Sequence, residues 1–382
     1  MKAFKWNWWQ RGIVLIAVFG LGAILGTQFS RTSSTKHDNE RKESNNWSNP
    51  LQPAYIGSKA CGECHPDQAT AFTSSGHGRT FYSEDLAEQF ANLNGREWSD
   101  PERNGVLKFA VEGSRLIAEF NDGRRIERQP VQFAIGSGTH ATTFVTLLDE
   151  SRGEPRLLEH RLTLFDNGQR LDLTPSHAGV SVRDPLDCLG RTHQGKDAAN
   201  CIGCHTTTAR IRGREIDDLR ANVTCESCHG PGRSHAAAMQ ASQSDTAIRF
   251  AKGGDSPMQE IQMCGKCHRT PEMLSAPPSK SDPKLARFQP VGLLNSNCFK
   301  RSTDRLRCTT CHDPHQTVDA VSENYTDKCR KCHSNSDQGN KVCPESPLEN
   351  CVSCHMPAVQ VHPGISFHDH WIRIHPYPAK SE

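Results

Sequence analysis

Seven times in this chain two cysteines stand two residues apart, with a histidine directly after the second. The pairs are Cys61 and Cys64, Cys201 and Cys204, Cys225 and Cys228, Cys264 and Cys267, Cys308 and Cys311, Cys329 and Cys332, and Cys351 and Cys354. On one helical turn such a pair turns both thiols to the same side, where they can form thioethers to the two vinyl groups of one porphyrin. The adjacent imidazole then reaches the iron. The expected proximal ligands are His65, His205, His229, His268, His312, His333 and His355. Rival uses of the motif fit poorly. Zinc ribbons take two cysteine pairs per metal, so an odd number of pairs, each with its own histidine, is wrong for them. Iron–sulfur runs need further nearby cysteines, and thioredoxin-like pairs sit singly beside a βαβ pattern; neither context occurs. The motifs predict seven covalently attached haems c.

Twelve histidines lie outside the motifs, enough for every iron to take a second one. His315 follows His312 by three residues, which span roughly 10 Å at full extension. That is too short to pass round a macrocycle, so His315 is expected to serve a neighbouring haem. His235 stands six residues after His229, and Gly230, Pro231 and Gly232 allow a sharp turn there; its own haem or another one is open to it. His77, His140, His193, His362 and His370 complete the distal candidates, the last two from a tail with four histidines. His37, in a polar stretch, and His160, in an alternating strand pattern, are not expected to bind iron.

These groups need elements to hold them. Residues 1–11 are a basic, aromatic flank, and 12–29 form a nearly uncharged run whose preceding cations predict an N-in transmembrane helix. A cleaved export signal is the alternative reading. Either places the remainder across a membrane. Residues 30–53 are polar and predict a disordered tether, and 54–80 carry the first haem motif. Residues 81–186 alternate apolar and polar side chains in short runs broken by Gly, Asn and Asp, which predicts an inserted antiparallel β module. The strands expected are Val106 to Val111, Arg115 to Phe120, Arg124 to Ile135, Thr142 to Leu148, Arg156 to Phe165 and Arg170 to Leu173. Residues 187–382 crowd six motifs together, and short helices with little sheet are expected there. The fold class predicted is therefore mainly α and irregular, with short helices packed around haems, plus the β module. Only 35 % of the 382 residues are hydrophobic, as expected if porphyrin fills much of the interior. The net charge of +2 is spread along the chain, which argues against nucleic acid as a partner.

The segment AYIGSKACGECHPDQATAFTSSGH, together with CESCHGPGRSH, CTTCHDPH, CVSCHMP and FHDHWIR, resembles the family of the tetrahaem cytochrome that accepts electrons from hydroxylamine oxidoreductase. The likeness covers about 54–80 and 187–375. It implies tightly packed haem pairs, mostly bis-histidine irons, and electron transfer in a bacterial periplasm between redox partner proteins, such as a quinol-oxidising membrane donor and a periplasmic acceptor. It also allows one five-coordinate iron, and with it an alternative role as a haem redox enzyme acting on a small nitrogen or sulfur compound. The absence of Cys-x-x-Cys-Lys favours the carrier. The β insertion departs from the tetrahaem pattern. Under this likeness Cys298 and Cys343 are expected to form a disulfide, and Cys188 to be a free buried thiol.

Overall fold

Positive-φ residues set the turns of the middle of the chain. Arg152 and Gly153 hold φ of +56° and +74°, the two-residue hairpin geometry that matches strand twist, and Ser151 faces Glu154 across it. The computed structural model describes residues 54–244, 248–250, 256–302, 305–334, 342–346 and 348–375. The expected flank, transmembrane helix and tether at 1–53 lie outside these, and no described helix is long and apolar enough to cross a membrane.

The strands are β1 (Phe81–Tyr82), β2 (Glu97–Asp100), β3 (Gly105–Glu112), β4 (Arg115–Asn121), β5 (Ile126–Pro130), β6 (Phe133–Ile135), β7 (Ala141–Ser151), β8 (Glu154–Phe165), β9 (Arg170–Leu173), β10 (Gly190–Gln194), β11 (Thr206–Arg212), β12 (Glu215–Ala221), β13 (Ala358–His362) and β14 (Ile365–His368). One antiparallel sheet runs β1-β6-β7-β8-β10 with β9 also on β8, and a second runs β2-β3-β4-β5. Leu107, Phe109, Leu116 and Phe120 of the second sheet share one core with Phe144, Leu158, Leu162 and Leu164 of the first. Burying such a face drives two sheets together. The run expected as one strand from Arg124 to Ile135 is two, because the chain leaves one sheet after Pro130 and enters the other at Phe133.

The helices are short: α1 (Gly57–Gly62), α2 (Pro66–Thr73), α3 (Leu86–Gln89), α4 (Lys196–Gly203), α5 (Cys225–His229), α6 (Arg233–Gln240), α7 (Pro257–His268), α8 (Gln289–Asn295), α9 (Asn297–Arg301), α10 (Thr326–His333) and α11 (Cys351–His355). The fold is mixed helix and sheet rather than mainly α. β10 lies beyond the expected module edge yet pairs with β8. The hairpins β11–β12 and β13–β14 stand among the motifs. Thr206 to Arg212 and Glu215 to Ala221 pair antiparallel around a turn at Gly213, whose φ is +55°, so a hairpin forms there despite the dense haem spacing.

Candidate functional site

We number the motifs 1 to 7 in chain order. Most lie in or at the end of a short helix, and motif 5 lies in a 3-10 turn, Cys308–Thr310. Helix geometry puts both cysteines and the histidine of each motif on adjoining turns. Neighbouring motifs meet through their thiols. The Cys61 thiol lies beside that of Cys225, Cys204 beside Cys267, Cys264 beside Cys308, and Cys329 beside Cys351. Cys228 lies within electrostatic reach of Cys264, and Cys311 within reach of Cys329. Among the described residues no three His, Cys, Asp or Glu side chains converge to hold a bare metal ion.

Imidazoles from distant parts of the chain face one another in four pairs. Ring centroids are 6.3 Å apart for His65 and His235, 6.1 Å for His77 and His268, 6.1 Å for His229 and His315, and 6.2 Å for His312 and His370. Two metal–nitrogen bonds of about 2 Å, plus about 1 Å from each nitrogen to its ring centre, put the centroids roughly 6 Å apart. The donor set and its spacing therefore fit an iron between each pair of rings. In every pair a motif histidine meets one from outside the motifs, and His315 meets His229 rather than its near neighbour His312.

A family model described as cytochrome c554 and c-prime matches residues 183–230, the stretch that holds motifs 2 and 3. The chain is a multihaem c-type cytochrome. Its covalently bound cofactor is haem c. The cytochrome is also 20 % identical, over 375 aligned positions, to the dissimilatory sulfite reductase MccA of Wolinella succinogenes, covering 79 % of this chain and 50 % of that one. It thus spans half the length of that curated relative. A solved outer cell wall cytochrome, OcwA, aligns with a TM-score of 0.47 at 15 % identity, covering 84 % of this chain and 80 % of that one.

Second hydrogen bonds orient the rings of the cytochrome. Nδ1–H is donated by His205 to the Thr80 carbonyl at 3.1 Å, by His229 to that of Arg249 at 2.7 Å, by His355 to that of Arg373 at 3.0 Å and by His370 to that of His368 at 2.9 Å. His268 pairs with Gln289 Oε1 at 3.1 Å, and His315 with Asp313 Oδ1 at 3.1 Å. Fixing Nδ1 in this way leaves Nε2 for the metal. Burial pushes His370 down to about 4, keeping its imidazole neutral.

Three distal candidates are not brought opposite a motif histidine. His140 is exposed and packs against Phe367 at 5.9 Å. His193 puts Nε2 2.9 Å from Glu159 Oε2. His362 stacks on Phe165 at 5.3 Å. Among the described residues no histidine ring faces His205, whereas His375 lies within electrostatic reach of His355. Sequence reasoning passed over His368, which donates Nδ1–H to the Met356 carbonyl at 2.7 Å, one residue from His355. Cys298 and Cys343 are not joined; both are free thiols, and Cys298 lies near Cys311 and Cys332 instead.

Sequence reasoning also missed two buried carboxylates. Glu226, inside motif 3, accepts the amides of Ile56 at 2.9 Å, Gly57 at 2.8 Å and Gly232 at 2.8 Å. It caps α1, which has no side-chain cap of its own. Glu260, one turn before Cys264, accepts the Thr309 amide at 2.8 Å and its hydroxyl at 3.0 Å. Each glutamate ties one motif to another, 3 to 1 and 4 to 5. The available signal was an acidic residue inside or just before a motif helix.

Proposed function

We propose that this cytochrome is a heptahaem electron-transfer protein, with haem held by the fourteen motif cysteines and ligated by His65, His205, His229, His268, His312, His333 and His355. His77, His235, His315 and His370 supply the second axial nitrogen at motifs 4, 1, 3 and 5. Bound haem supplies one-electron carriers whose potentials follow from ligation and burial. The observation that carries the reading is the run of thiol contacts, which orders the motifs 1-3-4-5-6-7 and hangs motif 2 from motif 4. Haems attached there would be near neighbours, as a conduit requires. Intact mass should exceed the polypeptide by seven haems, and one electron donor should reduce all of them in a single rapid-mixing experiment. A lower count, or a subset that stays oxidised, would defeat the reading.

One observation favours a second reading. Motif 2 stands at the end of a side branch, and no described histidine ring faces His205, so its iron is a candidate for five-coordination. The sulfite reductase likeness supports reduction of a small nitrogen or sulfur compound there. A high-spin ferric signal in magnetic circular dichroism is expected, and its absence would remove this reading.

We place the haem-bearing part in a bacterial periplasm, held by residues 12–29 as an N-in anchor, exchanging electrons with a membrane donor and a periplasmic acceptor. Release of the full-length protein by salt alone would replace the anchor with a soluble form.

A further inference from the structure

Motif 2 has surroundings that the paired motifs lack. Its helix α4 packs Ala198 and Ile202 against Val145 and Leu157 on the six-stranded sheet. Alternation along β8 puts Glu159 on the same face as Leu157, and its charge is felt at the Cys201 thiol. The Glu159 carboxylate draws in two imidazoles, His177 at 3.0 Å and His193 at 2.9 Å. His177 is 1 % exposed, and its Nδ1 is buried without a partner. Its carbonyl accepts from the buried Arg161 at 2.8 Å, which fixes the turn that carries it.

Cations come from the other side. Arg269 follows His268 with a left-handed φ of +59°, stacks on Phe288 at 4.7 Å and acts electrostatically on Cys204, the second thiol of motif 2. Arg287 is close enough to feel both Arg269 and Glu159. Neither arginine is in an ion pair among the described residues, and both reach solvent. Two neighbouring guanidiniums repel one another, and an anion bound between them relieves that repulsion. Their planar donor forks suit oxyanions.

We propose that Arg269, Arg287 and the Glu159–His177–His193 cluster form a binding site for a small oxyanion of nitrogen or sulfur beside the motif 2 haem. The arginines supply the attraction, and the carboxylate fixes the two imidazoles at its edge. This rests on the second reading above, an open iron at His205.

The test uses the full-length holoprotein. Carbon monoxide, which is neutral, probes the reduced protein; nitrite and sulfite are titrated separately into the oxidised protein, with absorption and electron paramagnetic resonance as readouts. At least one anion should bind, and which one does identifies the element. Arg287→Ala should weaken that binding at least tenfold, with carbon monoxide binding and the low-spin signals of the other haems unchanged, and Arg287→Lys should recover part of the loss. Carbon monoxide binding with no anion binding, or anion affinity unchanged in both Arg287→Ala and Arg269→Ala, overturns the oxyanion site and leaves the open iron standing. No carbon monoxide binding overturns both.

Discussion

The Glu226 carboxylate accepts the Gly57 amide at 2.8 Å across 169 residues of chain, so the first turn of the motif 1 helix hangs from the motif 3 helix. Three amides converge on this one buried carboxylate. Hydrogen bonds to a charged group contribute about 1.5–3 kcal/mol each. Glu226→Ala should therefore lower stability by at least about 2 kcal/mol in denaturant unfolding of the holoprotein, with Glu226→Gln intermediate. A loss below about 0.5 kcal/mol would show that the cap is not needed.

The facing rings predict which iron changes when a distal ligand is removed. His235→Ala should convert the motif 1 iron from low spin to high spin and leave motif 3 low-spin, although His235 is six residues from His229 in sequence. Electron paramagnetic resonance separates these outcomes. His362→Ala, whose ring packs on Phe165, should leave every low-spin signal in place.

The attachment chemistry and the β module were legible because both are local: a five-residue motif, and strands with period two. His315 could be assigned away from His312 by reach alone. The partner of His235 could not, since six residues permit either outcome and only packing selects His65. Long-range ties such as Glu226 to Gly57 leave no periodic trace. The hairpins β11–β12 and β13–β14 were hidden because neither carries a clean two-residue alternation through both strands, and β11–β12 pairs with register shifts near Thr208.

Glu159 sets a pH dependence. Burial alone would raise its carboxyl, but hydrogen bonds from His177 and His193 outweigh burial and hold it at about 2. A carboxyl held below its unfolded value, roughly 4.3, stabilises the fold fully above that value and loses this contribution as pH falls toward 2. Glu159→Gln should cost about 1–3 kcal/mol at neutral pH. The gap from the parent should close through the acid window. A gap that stays constant down to the acid end would contradict this.

Outside the motifs, Cys188, Cys298 and Cys343 are all free. Unfolding the holoprotein without reductant should expose three alkylatable thiols; a Cys298–Cys343 bond would leave one. In the native protein Cys188 should react slowest, since burial pushes its thiol up to about 11 and the thiolate is the reactive form.

The crossed histidine pairs bear on how the molecule is made. His77 reaches forward past the β module to His268, and His370 reaches back from the tail to His312. Iron bound between such rings acts as a cross-link closing a long loop, and it removes conformational freedom from the unfolded chain much as a disulfide does. With iron held in this way, early motifs would stay half-ligated until later segments fold against them, and the tail would lock the assembly last.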